Sequence, residues 1–339
     1  MNKIFYFLIS IFCISCSTQN DKEKWQNDRD NVLNVNKQIH EIIIKDILIS
    51  NTARLYTLKQ YLVICDHKTE DKQIHFFDKN TFQYVAGIAY QGQGPQEITM
   101  LGHVAVDNKE QNFYVSDHGK QKIYKFNLDS VLSNSVYFPK DDIEMNIKKF
   151  PDTYFFINDT ISLARVIEPT SNSTFNQMIA KWNMIDNEIF PLKYTHPNIE
   201  QKRICLAVEP QIKRYVECYH QYDLISMFDF NGELICNIYG PNWTEKKDRK
   251  KYYRKALFCK NHIVALYLGE DSFIEDLNIG RKVNLPSKFL IFDKDGNYIQ
   301  TLETGYKISD FCYDKVTNRI IINFDDEIQF GYLDLNNIL

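Results

Sequence analysis

The apolar positions of this chain fall in short runs, and long helical stripes are hard to find. "YLVICD", "NFYVSD", "DLISMFDF", "HIVALYL", "KFLIFD" and "RIIINF" are rich in β-branched and aromatic residues and are bounded by Asp, Asn and Lys. Such runs between turn formers predict strands. Two hairpins nearly superimpose, "LISMFDFNGELICNIYG" and "FLIFDKDGNYIQTLETG". Each has an Asn-Gly or Asp-Gly pair, Asn231-Gly232 and Asp295-Gly296, which suits a two-residue turn with positive φ at both central positions. In each, the entering strand ends in Phe-Asp, at Asp229 and Asp293.

That phase recurs at Asp78, Asn127, Asn183, Asp229, Asp293 and Asp334. The spacing drifts around roughly 50 residues, with several strands per unit, which points to a β-propeller over a solenoid. Six markers predict an all-β, six-bladed β-propeller over residues 39–339. The alternative is a pair of stacked β-sandwiches. Only five residues follow Asp334, so the last blade lacks its outer strand. The early run "HEIIIKDILI", His40 to Ile49, has no place in blade one. It is expected to complete the last blade and close the ring, removing an open edge.

The N-terminus carries a different pattern. Lys3 precedes the apolar run Ile4 to Ser15, the layout of an export signal over residues 1–15. The run is shorter than the roughly 20 residues of a membrane-spanning helix. It ends in "CISC", which resembles a bacterial lipobox with Cys13 where Leu is usual. Cys16 is therefore the expected lipid attachment site. Residues 16–38 are polar and read as a flexible tether. Six cysteines follow Cys16 with no CxxC pair, and most lie in apolar stretches, so buried thiols are expected.

The stretch "AYQGQGPQEI" raises the question of a phosphate-binding loop. Glu97 stands where a dinucleotide fingerprint needs a third glycine, and no GxxxxGK[ST] exists. Pro95 also removes a backbone donor. Gly92, Gly94, Pro95 and Glu97 instead read as a hinge from the rim of blade one to the axis of blade two. In that reading the glycines take unusual φ values and Glu97 accepts backbone N–H bonds. The other role open to this loop is lining a ligand mouth.

The lipobox, the "FFDK" hairpin and "GQGPQEI" together resemble the TolB-like six-bladed β-propeller lipoproteins of gram-negative gut anaerobes. Members often carry Gly-x-Gly-Pro-x-Glu after the first blade, matched here by Gly92, Gly94, Pro95 and Glu97. "YYRKALFCKNHIVALYLGED" is similar to that family's penultimate blade. The resemblance implies the fold and an outer-membrane-anchored place in the cell envelope, periplasmic or surface-exposed. It implies no established activity.

Chemistry-bearing patterns are sparse. The chain has 40 Lys and Arg against 44 Asp and Glu, a net charge of −4, which does not suggest nucleic-acid binding. None of the eight histidines forms HExxH or a close metal-ligand pair, and no GxSxG elbow is present. His103 and His118, near Asp107 and Asp117, read as polar loop residues; the alternative is a metal or catalytic role. "DKDGN", Asp293 to Asn297, reads as a hairpin turn. "EKKDRKKYYRK", Glu245 to Lys255, is the one basic cluster. It reads as a solvated connection between blades four and five, or as a surface for an anionic partner. No catalytic residue, metal site or cofactor is expected. The sequence therefore points to a monomeric binding or scaffold module for a partner protein, glycan or peptide. The alternative is a propeller enzyme, a lyase or metal-dependent lactonase-type hydrolase. That reading requires three or more His, Asp or Glu side chains converging at the axis.

Overall fold

Each of the six markers is the last residue of the third strand of a four-stranded antiparallel blade. The computed structural model describes residues 22–107, 109–244, 249–276 and 280–339. The export signal, the Cys16 lipid site and part of the basic cluster therefore lie outside the described residues. The third strands are Lys72–Asp78, Lys122–Asn127, Phe175–Asn183, Leu224–Asp229, Lys288–Asp293 and Phe330–Asp334.

Local chemistry explains why the marker recurs. The residue before it, an aromatic five times and Leu333 once, is fully buried in every blade. The marker side chain then turns back to accept backbone N–H groups of the turn that follows. Asp229 accepts from Asn231 and Glu233 at 2.8 and 2.9 Å, and Asp293 from Asp295 and Asn297 at 2.9 and 2.8 Å. Asp78, Asn127, Asn183 and Asp334 do the same. Asx turns of this kind fix the chain reversal without a buried orphan donor.

The turn type differs from the expected one. Gly232 and Gly296 have φ of 83° and 85°, but Asn231 and Asp295 are not left-handed. Gly232 N–H bonds the Asp229 carbonyl, Gly296 N–H the Asp293 carbonyl, and the register slips by one residue in both hairpins. The turn is a right-handed one followed by a left-handed glycine bulge, so only the glycine needs positive φ.

Six buried clusters lie between blades, one for each neighbouring pair around the ring, including blade six against blade one. Blades packed on both faces require strands that are apolar throughout, as "RIIINF" is at Arg319–Phe324. The six described cysteines are buried free thiols.

His40–Ile42 pairs antiparallel with Phe330–Tyr332 and supplies the fourth strand of blade six. The ring is closed as expected, by three residues of the ten-residue run. The flexible tether expected over 16–38 is corrected for its described part. Glu23–Trp25 adds in parallel to the outer strand of blade four, and Val32–Asn34 to that of blade five. Unpaired donors and acceptors on an outer strand accept any extended backbone, whatever its side chains, so these short polar segments carried no periodic signal. Between them, Arg29 enters the space between blades four and five and meets Asp223 at 3.0 Å.

Candidate functional site

The first strands of neighbouring blades pack side by side around the axis. They bring charged and polar side chains to the channel. Asp152 is paired with Arg165 at 2.6 Å, and Asp310 with Lys255 at 2.8 Å. Asp310 also accepts from the Leu55 N–H at 2.7 Å. His103 Nε2 lies 2.9 Å from the Tyr154 carbonyl, so that nitrogen carries the proton. Burial depresses the His103 pKa to about 3, so the ring is neutral at physiological pH. Arg54 donates to the Gly102 carbonyl at 3.2 Å.

Among the described residues, no group of three or more His, Cys, Asp or Glu side chains could hold a metal ion. Asp117, beside His118, is spent on the Thr99, Met100, Gly119 and Lys120 backbone N–H groups.

The GQGP loop is held by its own Glu97 and by Thr99 and Lys120 beyond it. Gly94 N–H donates to Glu97 Oε2 at 2.7 Å, as the sequence suggested. Thr99 Oγ1 donates to the Gly92 carbonyl at 2.8 Å, and Lys120 Nζ to the Gly94 and Glu97 carbonyls. The reason for the glycines is corrected. Neither Gly92 nor Gly94 is left-handed; the residue with positive φ is Ala89, at 63°. A Cβ on Gly92 would stand 2.0 Å from Glu97 Oε2, and one on Gly94 2.9 Å from it. The glycines make room for the carboxylate that organises the loop.

A cleft of about 410 Å³ opens between blades four and five. Arg203 comes from the link into the first strand of blade four, and His220 from the end of its second strand Arg214–Tyr219. Lys251 and Arg254 come from Lys250–Cys259, the first strand of blade five. Leu268 and Pro286 supply apolar wall. The basic cluster is thus only partly a connection between blades. From Lys250 onward it is an inner strand, and Lys251, Tyr252, Tyr253 and Arg254 line this cleft. A smaller cavity of about 190 Å³ between blades three and four shares Arg203. Neither cavity is lined by the GQGP loop.

The cations among the cleft's described lining residues are Arg203, Lys251 and Arg254. No Asp or Glu is among its described lining residues. Arg203 donates to the Lys202 and Phe175 carbonyls at 2.7 and 2.9 Å and lies over the Phe175 ring at 4.0 Å. Desolvation lowers the pKa of both Arg203 and Arg254. His220 Nδ1 faces the Tyr253 carbonyl at 2.5 Å, and burial depresses its pKa to about 4. A neutral ring that donates from Nδ1 leaves Nε2 as an acceptor.

A six-bladed β-propeller with a cleft between two blades is the class that fold and site define. The sequence profile of the family described as DUF5128, 6-bladed beta-propeller, matches residues 43–191. No curated protein matches the chain by sequence. Among solved structures, a member of the duf4221 family from Bacteroides vulgatus superposes with a TM-score of 0.57 at 11% identity, covering 87% of this chain and 94% of that one. A protein from Bacteroides fragilis inferred to be exported gives 0.54 at 11% identity, over 89% and 88% of the two chains. A luciferin-regenerating enzyme gives 0.56 at 9% identity, over 88% and 95%. At these identities the likeness is one of fold.

Proposed function

We propose that this chain is an exported lipoprotein, lipidated at Cys16, that holds a monomeric binding propeller at the cell envelope. Its ligand, a small molecule such as a glycan or peptide, enters the cleft between blades four and five. The observation that carries the binding site is the cleft itself: about 410 Å³, with apolar walls and convergent polar groups. The Lys3–Ser15 layout ending in Ser-Cys supports export and anchoring. The fold similarity to a Bacteroides protein inferred to be exported agrees with it. The GQGP loop remains, in this reading, a hinge between blades one and two, three blades away from the ligand.

Two measurements test the two halves. Cys16→Ala should move the protein from the membrane to the soluble fraction; unchanged fractionation sinks the anchor. For the cleft, a panel of oligosaccharides and peptides is titrated by calorimetry against the wild type and Ser272→Trp, which fills the cavity. A ligand bound by the former and lost by the latter at unchanged melting temperature supports the site. Ligands retained by Ser272→Trp place binding elsewhere.

A further inference from the structure

We propose that the cleft between blades four and five is a receptor for an oxyanion, held by Arg203 and Arg254, on a ligand whose remainder is apolar. The inference rests on the reading of this cleft as the ligand site and names the chemistry of what enters it.

Several cations near the cleft have a carboxylate. Lys255 has Asp310, Lys202 has Glu217 at 2.8 Å, and Arg29 has Asp223. Among the described residues Arg203 and Arg254 make no direct ion pair, although the charge of Asp310 acts on Arg254 from farther off. Arg254 makes no hydrogen bond there either, so its five N–H donors are uncommitted. Arg203 gives two donors to main-chain carbonyls and keeps the others. Its plane is held against Phe175, so the guanidinium is already oriented before anything binds. Both lie where desolvation disfavours their charge. Two guanidinium groups facing one cleft with no ion pair among the described residues raise its electrostatic cost, and an entering anion lowers that cost.

The rest of the lining narrows the ligand. Asn284 is already committed: its amide donates to Glu270 Oε2 and the Asp271 carbonyl, and its oxygen accepts from Lys307 Nζ. Leu268, Val283 and Pro286 offer only apolar contact. His220 Nε2 is an acceptor, suited to one hydroxyl or amide N–H. Gln221 and Ser272 add polar groups to the lining, so the complementary ligand has a carboxylate, sulfate or phosphate at one end, an apolar face, and hydrogen-bonding groups between them. A bidentate fork on a planar oxyanion is what arginine provides and lysine does not.

The test uses calorimetric titration of the folded protein at fixed ionic strength. The probes are glucuronate, N-acetyl-leucine and phenyl phosphate, with methyl glucoside and N-acetyl-leucinamide as neutral counterparts. The proteins are wild type, Arg203→Gln, Arg254→Gln, Arg254→Lys, Ser272→Trp, and Arg214→Gln as a control on a distant rim cation. At least one anion should bind, and the strongest of the three identifies whether carboxylate or phosphate is preferred. Arg203→Gln and Arg254→Gln should each weaken it by about 10- to 100-fold, and Ser272→Trp should abolish it. Arg254→Lys should recover part of the loss, and Arg214→Gln should change nothing. Rising salt should weaken the anion and spare any neutral probe. If neutral probes bind as well as the anions and Ser272→Trp removes both, the cleft stands as the site and the oxyanion proposal falls. If no anion binds, the proposal falls, and a neutral ligand lost in Ser272→Trp would still leave the cleft as the site. If anions bind equally to every variant, both readings fall. Circular dichroism of each variant separates lost binding from lost folding.

Discussion

At Gly92 and Gly94 the same residue type serves one carboxylate at two very different clearances. A Cβ at Gly92 would collide with Glu97 at 2.0 Å, which forces the carboxylate out and breaks its bond to Gly94 N–H. At Gly94 the clash of 2.9 Å is with the end of a side chain that can shift. Gly92→Ala should therefore cost about 1.5–3 kcal/mol, the worth of a hydrogen bond to a charged group. Gly94→Ala should cost less, and Glu97→Gln less again than Gly92→Ala, because an amide oxygen still accepts. Urea denaturation of the three variants gives the order. Equal losses at Gly92 and Gly94 would mean that backbone freedom, and not room for Glu97, is what the glycines supply.

The element that changes the picture most is the N-terminal segment laid along blades four and five. Trp25 stacks on Tyr239 with ring centroids 4.1 Å apart. Arg29 reaches Asp223, Tyr253 and the Gln26 side chain, and lies over the Tyr267 ring. Asp223 is wholly buried and also accepts from the Tyr253 and Tyr267 hydroxyls at 3.0 and 3.1 Å. Burial alone would lower the Arg29 pKa, but Tyr253, Asp223 and Tyr267 together raise it above the usual value. Arg29→Met leaves the Asp223 charge buried without its cation. The expected loss is on the order of 3 kcal/mol, with part of it recovered in the Arg29→Met/Asp223→Asn double variant. Removing residues 17–30 takes away both Glu23–Trp25 and Arg29, so it should lower stability measurably. A deletion variant that melts with the full chain would show the strap to be passive.

For the whole molecule, stability depends on closure and on groups held in one protonation state by burial. Lys79 of blade one meets Asp314 of blade six at 2.7 Å, and Arg319 donates to the Lys79 carbonyl. These contacts lie at the junction that His40–Ile42 completes. His103 and His220 are depressed by burial to about 3 and about 4. A histidine whose folded pKa lies below its unfolded value of about 6.5 contributes stability fully above pH ~6.5. That contribution is lost as pH falls from there toward 4, because the unfolded chain takes up the protons first. The melting temperature should therefore drop between pH 6.5 and 4. It should drop less in the His103→Gln/His220→Gln double variant. Parallel curves for the two proteins would assign the loss in this window to other groups, such as His75 and His118, whose pKa burial also lowers. Asp314, held below its usual pKa by hydrogen bonding to Lys79 against the raising effect of burial, loses its contribution only below about pH 4.

What the sequence determined by itself was whatever acts over a few residues. A buried aromatic followed by Asp or Asn ends a strand and caps its own turn, so six blades could be counted from six markers. The strand left over at one end and the blade left short at the other implied closure. Glu97 as an acceptor for loop N–H groups was legible for the same reason, since it lies three residues from Gly94. The tertiary structure alone decided the rest. Arg29 and Asp223 stand 194 residues apart, and the strap pairs by backbone groups that every residue has, so no pattern marks it. The cleft draws Arg203, His220, Arg254 and Pro286 from separate strands and links of two blades. The charge of each residue can be read from its letter. That Arg203 and Arg254 make no ion pair among the described residues depends on how neighbouring blades are set around the axis, and only the closed ring fixes that.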